Sequence, residues 1–332
     1  MIRLWTRWVK LIDRREGGEA MAALRLSMGA AAVYATLHNY SVAHLVWVDA
    51  AHGGYRNLPP TTGMVEWLGG ATPDVISGLL AVTLTCALLL FFGVLPRAAA
   101  LVYLQTHMAL SDLNGHAGGS YDELLSNCMW LMVFARSHAT WSLTCRLRTG
   151  RWSDPEARVM SWPRYLMVLQ LVLVYASTGF QKVSSHWIPG GDLGALYYIL
   201  QQPSWSRWPD MTWLAWVFPV TQVMTLVVWL FEVSAPLLLV ALWARSSRET
   251  AGPLRRWMNR LRYRDLFGLF GVGMHIGIHT LMSVGPFSII SLAMYPALWH
   301  ADEWRRLSLR LSAWRTERAS PIPPGTTVPQ GG

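Results

Sequence analysis

One lysine stands out in this chain for the residues that surround it. Residues 175–191, YASTGFQKVSSHWIPGG, place Lys182 among small and aromatic residues directly after an apolar run. The chain has 28 lysines and arginines, and every one except Lys10 and Lys182 is an arginine. Burial favours the neutral form of a lysine, which can then accept a proton as arginine does not. Lys182 is therefore a candidate base; the alternative is a lysine that caps a helix or reaches the membrane surface.

Four further ionisable residues interrupt apolar stretches. Glu232 needs a partner, a proton or water there, and we expect it to form a structural ion pair with Arg25, although a functional role stays open. His275 and His279 are four residues apart and share one helix face, where they can bond a quinone oxygen or hydrogen-bond between helices. Two histidines do not complete a metal site, so no metal is predicted.

These residues must be positioned by membrane-spanning helices. The chain is 52% hydrophobic and only 14% charged, and it has 19 tryptophans, the residues that mark membrane interfaces. Apolar runs of a suitable length predict an all-α integral membrane protein of about eight transmembrane helices. We place the spans at residues 21–38, 75–95, 97–111, 122–134, 164–180, 217–243, 266–284 and 287–299.

The arginines predict how the spans are oriented. They cluster in alternate connections, and the basic residues on the opposite side are Arg56, Lys182 and Arg207. This bias predicts a multi-pass protein of the cell membrane with cytoplasmic N- and C-termini. Lys182 then lies at the extracytoplasmic end of the fifth span. The net charge of +9 does not indicate a nucleic-acid partner, because the arginines are distributed between apolar spans.

The predicted organisation has three parts. Residues 1–20 form a basic amphipathic segment on the cytoplasmic membrane surface. Residues 21–304 form the transmembrane domain, and residues 305–332 form a cytoplasmic tail that is first basic and then proline-rich and disordered. Residues 192–200 are predicted to form a short interfacial helix after Lys182.

Two segments resemble the vitamin K-dependent gamma-carboxylases and, more widely, the HTTM (horizontally transferred transmembrane) family. In residues 178–190, TGFQKVSSHWIPG, Lys182 falls on the catalytic lysine of that family. Residues 282–288, MSVGPFS, follow a span whose His275 matches a family histidine. The resemblance covers most of the predicted transmembrane domain, and it is specific only in these two segments.

The resemblance implies a quinol-linked membrane enzyme, a lyase or epoxidase that oxygenates a reduced quinone. Lys182 would be its base, with His275 assisting, and Gly179, Trp187 and His279 would line the site for reduced vitamin K or a menaquinol-type quinone. Oxygen and carbon dioxide would be co-substrates. The carboxylases continue into a large extracytoplasmic domain that binds the substrate protein, whereas this sequence stops after the eighth span. We therefore expect quinol oxidation rather than protein carboxylation.

Two other functions remain open from the sequence. The chain could be a non-catalytic membrane partner or maturation factor for a secreted peptide system, like membrane-only members of the family. It could also be a transporter in which Arg25 and Glu232 line a path. The partners expected are membrane lipid, a quinone, and a secreted peptide or a partner membrane protein.

Overall fold

A computed structural model describes residues 5–6, 9, 12–57, 63–246 and 252–319. In this part of the chain the fold is mostly helical, as the sequence predicts, with one antiparallel pair of short strands. The proline-rich end of the predicted tail lies outside the described residues. The boundary predicted at residue 304 falls inside a helix, because the final helix begins at Ala301.

The first half of the chain pairs its long helices consecutively. Helix α1 packs against α4, α4 against α5, and α5 against α6. The elements in order are β1 (Arg15–Gly17), α1 (Glu19–Tyr40), α2 (Ala43–Val46), a 3-10 turn (Ala50–His52), α3 (Met64–Trp67), α4 (Pro73–Phe92), α5 (Pro96–Ser111), α6 (Ser120–Phe134) and α7 (Leu143–Thr149).

The second half begins with a strand that pairs with β1 and returns the chain to the same end of the bundle. Its elements are β2 (Arg158–Met160), α8 (Trp162–Gln181), α9 (Ala195–Leu200), a 3-10 helix (Thr212–Val217), α10 (Phe218–Val233), α11 (Leu237–Ser246), α12 (Pro253–Leu261), α13 (Tyr263–Leu281), α14 (Phe287–Met294), a 3-10 turn (Tyr295–Leu298) and α15 (Ala301–Ala319).

Within the described ranges, three helical stretches are long and apolar enough to cross a membrane. They are α1, α4 and the continuous run Thr212–Val233. The other predicted spans are helical, but two differ in form. The sixth is divided into α10 and α11 around Pro236, which has no N–H to bond the carbonyl one turn before it. The eighth is a short helix that ends in a 3-10 turn.

One end of the bundle is held together by arginine–carboxylate pairs, and we call it the ion-pair end. It contains the first residues of α1, α8, α13 and α15 and the last turn of α11. The pairs are Arg164–Glu16, Arg264–Glu303, Arg305–Glu19 and Arg245–Asp302. Bidentate arginine bonds fix the relative positions of helices that meet here.

The main core lies between α1, α4, α5, α6, α8 and α14, with Phe231 of α10 and Phe267 of α13 closing one side. Small residues let α1 approach its neighbours closely. A Cβ at Gly29 would come within 2.6 Å of the Phe91 backbone of α4. Close approach of this kind strengthens van der Waals packing between helices that gain little from the hydrophobic effect in lipid.

Candidate functional site

The site is built where α8 ends. Pro163 stands in the first turn of α8, where its missing N–H costs nothing. The helix continues to Gln181, and Lys182 is its C-terminal cap, with its N–H donating to the carbonyl of Gly179 at 3.3 Å. The helix thus stops at the lysine, within one residue of the end predicted for the fifth span at residue 180.

The Lys182 ammonium is held by a carboxylate and an aromatic face. Its Nζ lies 2.5 Å from Oε1 of Glu232 and also contacts the second carboxylate oxygen. The same nitrogen lies 4.2 Å from the ring centroid of Trp187. The lysine side chain is 17% exposed and the glutamate side chain 7%, so the pair is largely buried but accessible from one side.

A close helix contact places the carboxylate opposite the lysine. A Cβ at Gly179 would come within 2.8 Å of the Cβ of Glu232 and of the backbone nitrogen of Val233. Glycine at this position therefore lets α8 and α10 touch along their backbones. Glu232 also lies at the end of α10, shortly before Pro236, so the ion pair stands where α8 ends and where the α10–α11 run is broken.

The ion pair lies far from the ion-pair end of the bundle. Arg164 and Gly179 are separated by four turns of α8, which corresponds to about 22 Å at 1.5 Å per residue. Glu232 is separated from Arg245 by a similar length of α10 and α11, roughly 20 Å. The pair therefore lies at the end of α8 opposite the ion-pair end, and near the middle of the α10–α11 run, whose outward residues, including Val223 and Leu230, are apolar.

The predicted pair between Arg25 and Glu232 is wrong. Arg25 is fully buried, and its guanidinium donates to the carbonyls of Leu90, at 3.1 Å, and Phe91 in the last turn of α4, and to Trp141 at 2.5 Å. The Leu90 carbonyl also accepts from the N–H of Gly93, and the negative end of the α4 dipole favours a cation here. Arg25 lies only six residues from the start of α1, whereas Glu232 lies at the level of Lys182.

His275 belongs to a second buried cluster, next to the first. Its Nε2 lies 2.6 Å from the Tyr175 hydroxyl, which lies 2.8 Å from the Tyr295 hydroxyl. The His275 Nδ1 has no hydrogen-bond partner among the described residues. Phe231, the neighbour of Glu232, packs edge-on against the Tyr175 ring at 5.0 Å between centroids. The geometry thus makes His275 a hydrogen-bonded link between α8, α13 and the 3-10 turn after α14.

His279 lies elsewhere than the ion pair. Its ring meets the Tyr34 ring of α1 edge-on at 6.3 Å, and Tyr34 stacks on His38 at 6.2 Å. Of the residues expected to line one quinone site, Gly179 and Trp187 are brought together with Lys182. His279 faces α1 instead.

Sequence reasoning missed Tyr175 and Tyr295, and it missed the pairing of a buried histidine with an aspartate. Tyr175, Gly179 and Lys182 follow the spacing i, i+4 and i+7, which puts them on one face of α8 and was a readable signal. Tyr295 carried no such signal, because it comes from a distant 3-10 turn. His107 Nε2 lies 3.1 Å from Oδ1 of Asp122 inside the first half of the bundle. This contact joins two different helices, so the spacing of residues along the sequence did not reveal it.

The donor set fits a proton-transfer site better than a metal site. Among the described residues, no group of three or more histidines, cysteines, aspartates or glutamates could hold a metal ion. The Glu232 carboxylate is within proton-transfer distance of the Lys182 ammonium. In the last turns of α8, Ser177, Thr178 and Phe180 are exposed.

Comparison of the chain with protein-family models, with curated proteins and with solved structures gave no match.

Proposed function

We propose that the chain is a multi-pass protein of the cell membrane with about eight spans. Support comes from the three helices that meet the length and hydropathy needed to cross a bilayer. In this proposal α10 and α11 form one span together, and α14 with its 3-10 turn forms another. The ion-pair end coincides with the arginine-rich connections predicted to face the cytoplasm, which would put both termini there.

We propose further that the protein is an enzyme acting on a reduced quinone, with Lys182 as the base. The observation that carries this proposal is the Lys182–Glu232 pair. A shift of one proton across the 2.5 Å contact leaves a neutral amine and a carboxylic acid. The amine can then take a proton from a quinol hydroxyl, while Glu232 keeps the first proton within the site.

The surrounding residues have defined parts in this proposal. Gly179 lets the carboxylate reach the lysine, and Trp187 holds the ammonium from the other side and offers its remaining surface to the quinol ring. His275 acts as a positioning residue, because its described bond is to Tyr175, two turns before Lys182 on α8. When bound, the quinol supplies the electrons for reduction of oxygen; carbon dioxide is a co-substrate only in a carboxylating version of the reaction.

Reconstituted protein with menaquinol and oxygen tests the proposal. Lys182→Arg keeps the cation but cannot release the proton, so Lys182→Arg and Lys182→Ala should both abolish oxidation of the quinol. Phe180→Leu, an exposed neighbour, is the matched control and should retain activity. Wild-type turnover by Lys182→Arg would exclude the lysine as the base. If no variant, including the wild type, oxidises any quinol but the protein copurifies with a secreted peptide, the maturation-factor function is favoured.

A transporter is the second candidate, and one observation favours it. The sixth predicted span is broken between α10 and α11 directly after Glu232 of the charged pair, as in transporters whose binding sites lie at broken helices. The path expected along Arg25 and Glu232 is not supported, because Arg25 is enclosed by backbone carbonyls. Uptake of solute into liposomes that depends on Glu232 but not on oxygen or quinol would favour this function over the enzyme.

A further inference from the structure

Helix α12 is a short amphipathic helix that joins α11 to α13 at the ion-pair end. It begins at Pro253, a favourable first helical residue, and it ends at Leu261 before Arg262, which has a positive φ of 51°. Its apolar residues recur at positions 254, 257, 258 and 261, which is the spacing of a single helix face. An apolar helix face is normally buried against another surface. We therefore expect the apolar face of α12 to contact such a surface.

Among the described residues, protein covers only one edge of that face. Met258 is 3% exposed and packs against Ala241 and Ala244 of α11. Leu254 is 53% exposed and Trp257 57%, and they continue the outward apolar surface that includes Trp243 of α11. The uncovered part of the stripe is therefore continuous with the outer surface of the helices that are proposed to face lipid.

The rest of the helix is basic. Arg256 and Arg260 are exposed one turn apart, and Arg255 lies over the Trp243 ring at 4.2 Å from its centroid. Within Pro253–Leu261 there is no aspartate or glutamate. Arg164, Arg264 and Arg305 of the ion-pair end face carboxylates, whereas this helix concentrates positive charge beside an apolar stripe.

A second helix at the same end repeats this combination. In α15, Leu307, Leu311 and Trp314 are each about half exposed and lie on one face, and Arg306 and Arg310 lie among them. A helix of this type lies in the plane of the membrane interface, with its apolar side in the acyl region and its arginines at phosphate depth.

We propose that α12 is a binding surface for anionic phospholipid headgroups at the membrane interface. The stripe of Leu254, Trp257 and Leu261 enters the acyl region. Arg256 and Arg260 bind the headgroup phosphates and select anionic over zwitterionic lipid. Charge complementarity and the continuity of the stripe with the outward surface of α11 favour lipid over an acidic protein segment as the occupant. The proposal is independent of any catalytic function.

Fluorescence quenching by brominated lipids measures the binding of lipid at α12. The three cysteines are all buried, so a fluorophore can be attached to Leu254→Cys in the full-length protein reconstituted in mixed vesicles. Brominated phosphatidylglycerol should quench it more strongly than brominated phosphatidylcholine. In Arg256→Gln with Arg260→Gln, the ratio of the two association constants should fall by roughly fivefold per arginine removed.

Arg136→Gln with Arg151→Gln is the matched control, because it removes two exposed arginines from connections at the same end without altering α12. We expect its ratio to stay within about twofold of the parent protein. An equal fall in the control would mean that the general charge of this face attracts the lipid, and it would overturn a site on α12. Equal quenching by the two lipids, or no quenching by either, would also overturn the proposal; the latter result would indicate a protein partner.

Discussion

Arg25 and Lys182 are both buried cations on long helices, yet their surroundings differ in kind. Arg25 donates to backbone carbonyls at the end of α4, which cannot take a proton and cannot move without unfolding the helix. Lys182 faces a carboxylate that can accept its proton, at the end of α8 and next to the break between α10 and α11. The arginine thus contacts only groups that take no proton from it, whereas the lysine contacts a group that can. This difference is why we propose a structural role for Arg25 and chemistry at Lys182.

The largest effect is expected from removing Arg25. Arg25→Met removes a buried donor from the carbonyls of Leu90, Phe91 and Trp141, and it should lower the free energy of unfolding by about 3–5 kcal/mol. Thermal unfolding in detergent measures the change. Arg97→Met is the matched control, because Arg97 also donates to carbonyls at a helix end but is exposed. An equal loss of stability in both variants would contradict a special structural role for the buried Arg25.

A double-mutant cycle tests the other cation. Lys182→Met and Glu232→Gln should each cost on the order of 3 kcal/mol, near the low end for buried pairs because Lys182 is partly exposed. The double variant should recover most of that loss, since neither charge is left alone. Arg25→Met combined with Glu232→Gln should instead be additive. Additive losses for Lys182 and Glu232 would contradict the pair.

Gly179 tests the close contact that brings Glu232 to Lys182. Gly179→Ala introduces a Cβ that collides with the backbone of α10, and it should cost about 1–3 kcal/mol through overpacking. Gly273→Ala is the control, because a Cβ there meets nothing within 4 Å. Alanine has a better helix propensity than glycine, so Gly273→Ala should leave thermal stability equal or higher. A neutral Gly179→Ala would mean that the helices can separate without loss.

The ion-pair end should be sensitive to acid through His300. Burial and, to a smaller extent, the charge of the nearby Arg164 lower the pKa of His300 from its ordinary 6.5 to about 3. The unfolded chain therefore binds the extra proton between these values, so stability present above pH 6.5 is lost as pH falls towards 3. The free energies of unfolding at pH 7 and pH 5 should differ by about 1–2 kcal/mol less in His300→Asn than in the parent protein.

The smallest effect is expected at Trp187. Trp187→Leu removes the aromatic face from the Lys182 ammonium, and it should cost about 0.5–1 kcal/mol at this partly exposed position. The measurement is again thermal unfolding. Trp205→Leu is the control, because no cation–π contact to Trp205 is found among the described residues. A loss as large as that of Lys182→Met would show that the ring, rather than the carboxylate, dominates the environment of the lysine.

Most helices could be placed from the sequence, and the partners of their polar residues could not. The apolar runs around residues 21–38, 75–95 and 164–180 each correspond to an observed helix within a few residues. The partner assigned to Glu232 was wrong because the prediction paired two buried residues of opposite charge. The sequence does not show at which level of the helix bundle each of them lies. Arg25 finds its partners only when α4 ends beside it.

The sequence alone determined the all-α class, the apolar helices and the position where α8 stops, because hydropathy, small residues and proline act locally along the chain. It also singled out Lys182, since a lone lysine among arginines is a property of composition. The tertiary structure decided that Glu232 meets Lys182, that Arg25 caps α4, and that His275 bonds Tyr175. Each of these depends on the height at which two distant helices cross, and that height is set by close packing at residues such as Gly179 rather than by any local pattern.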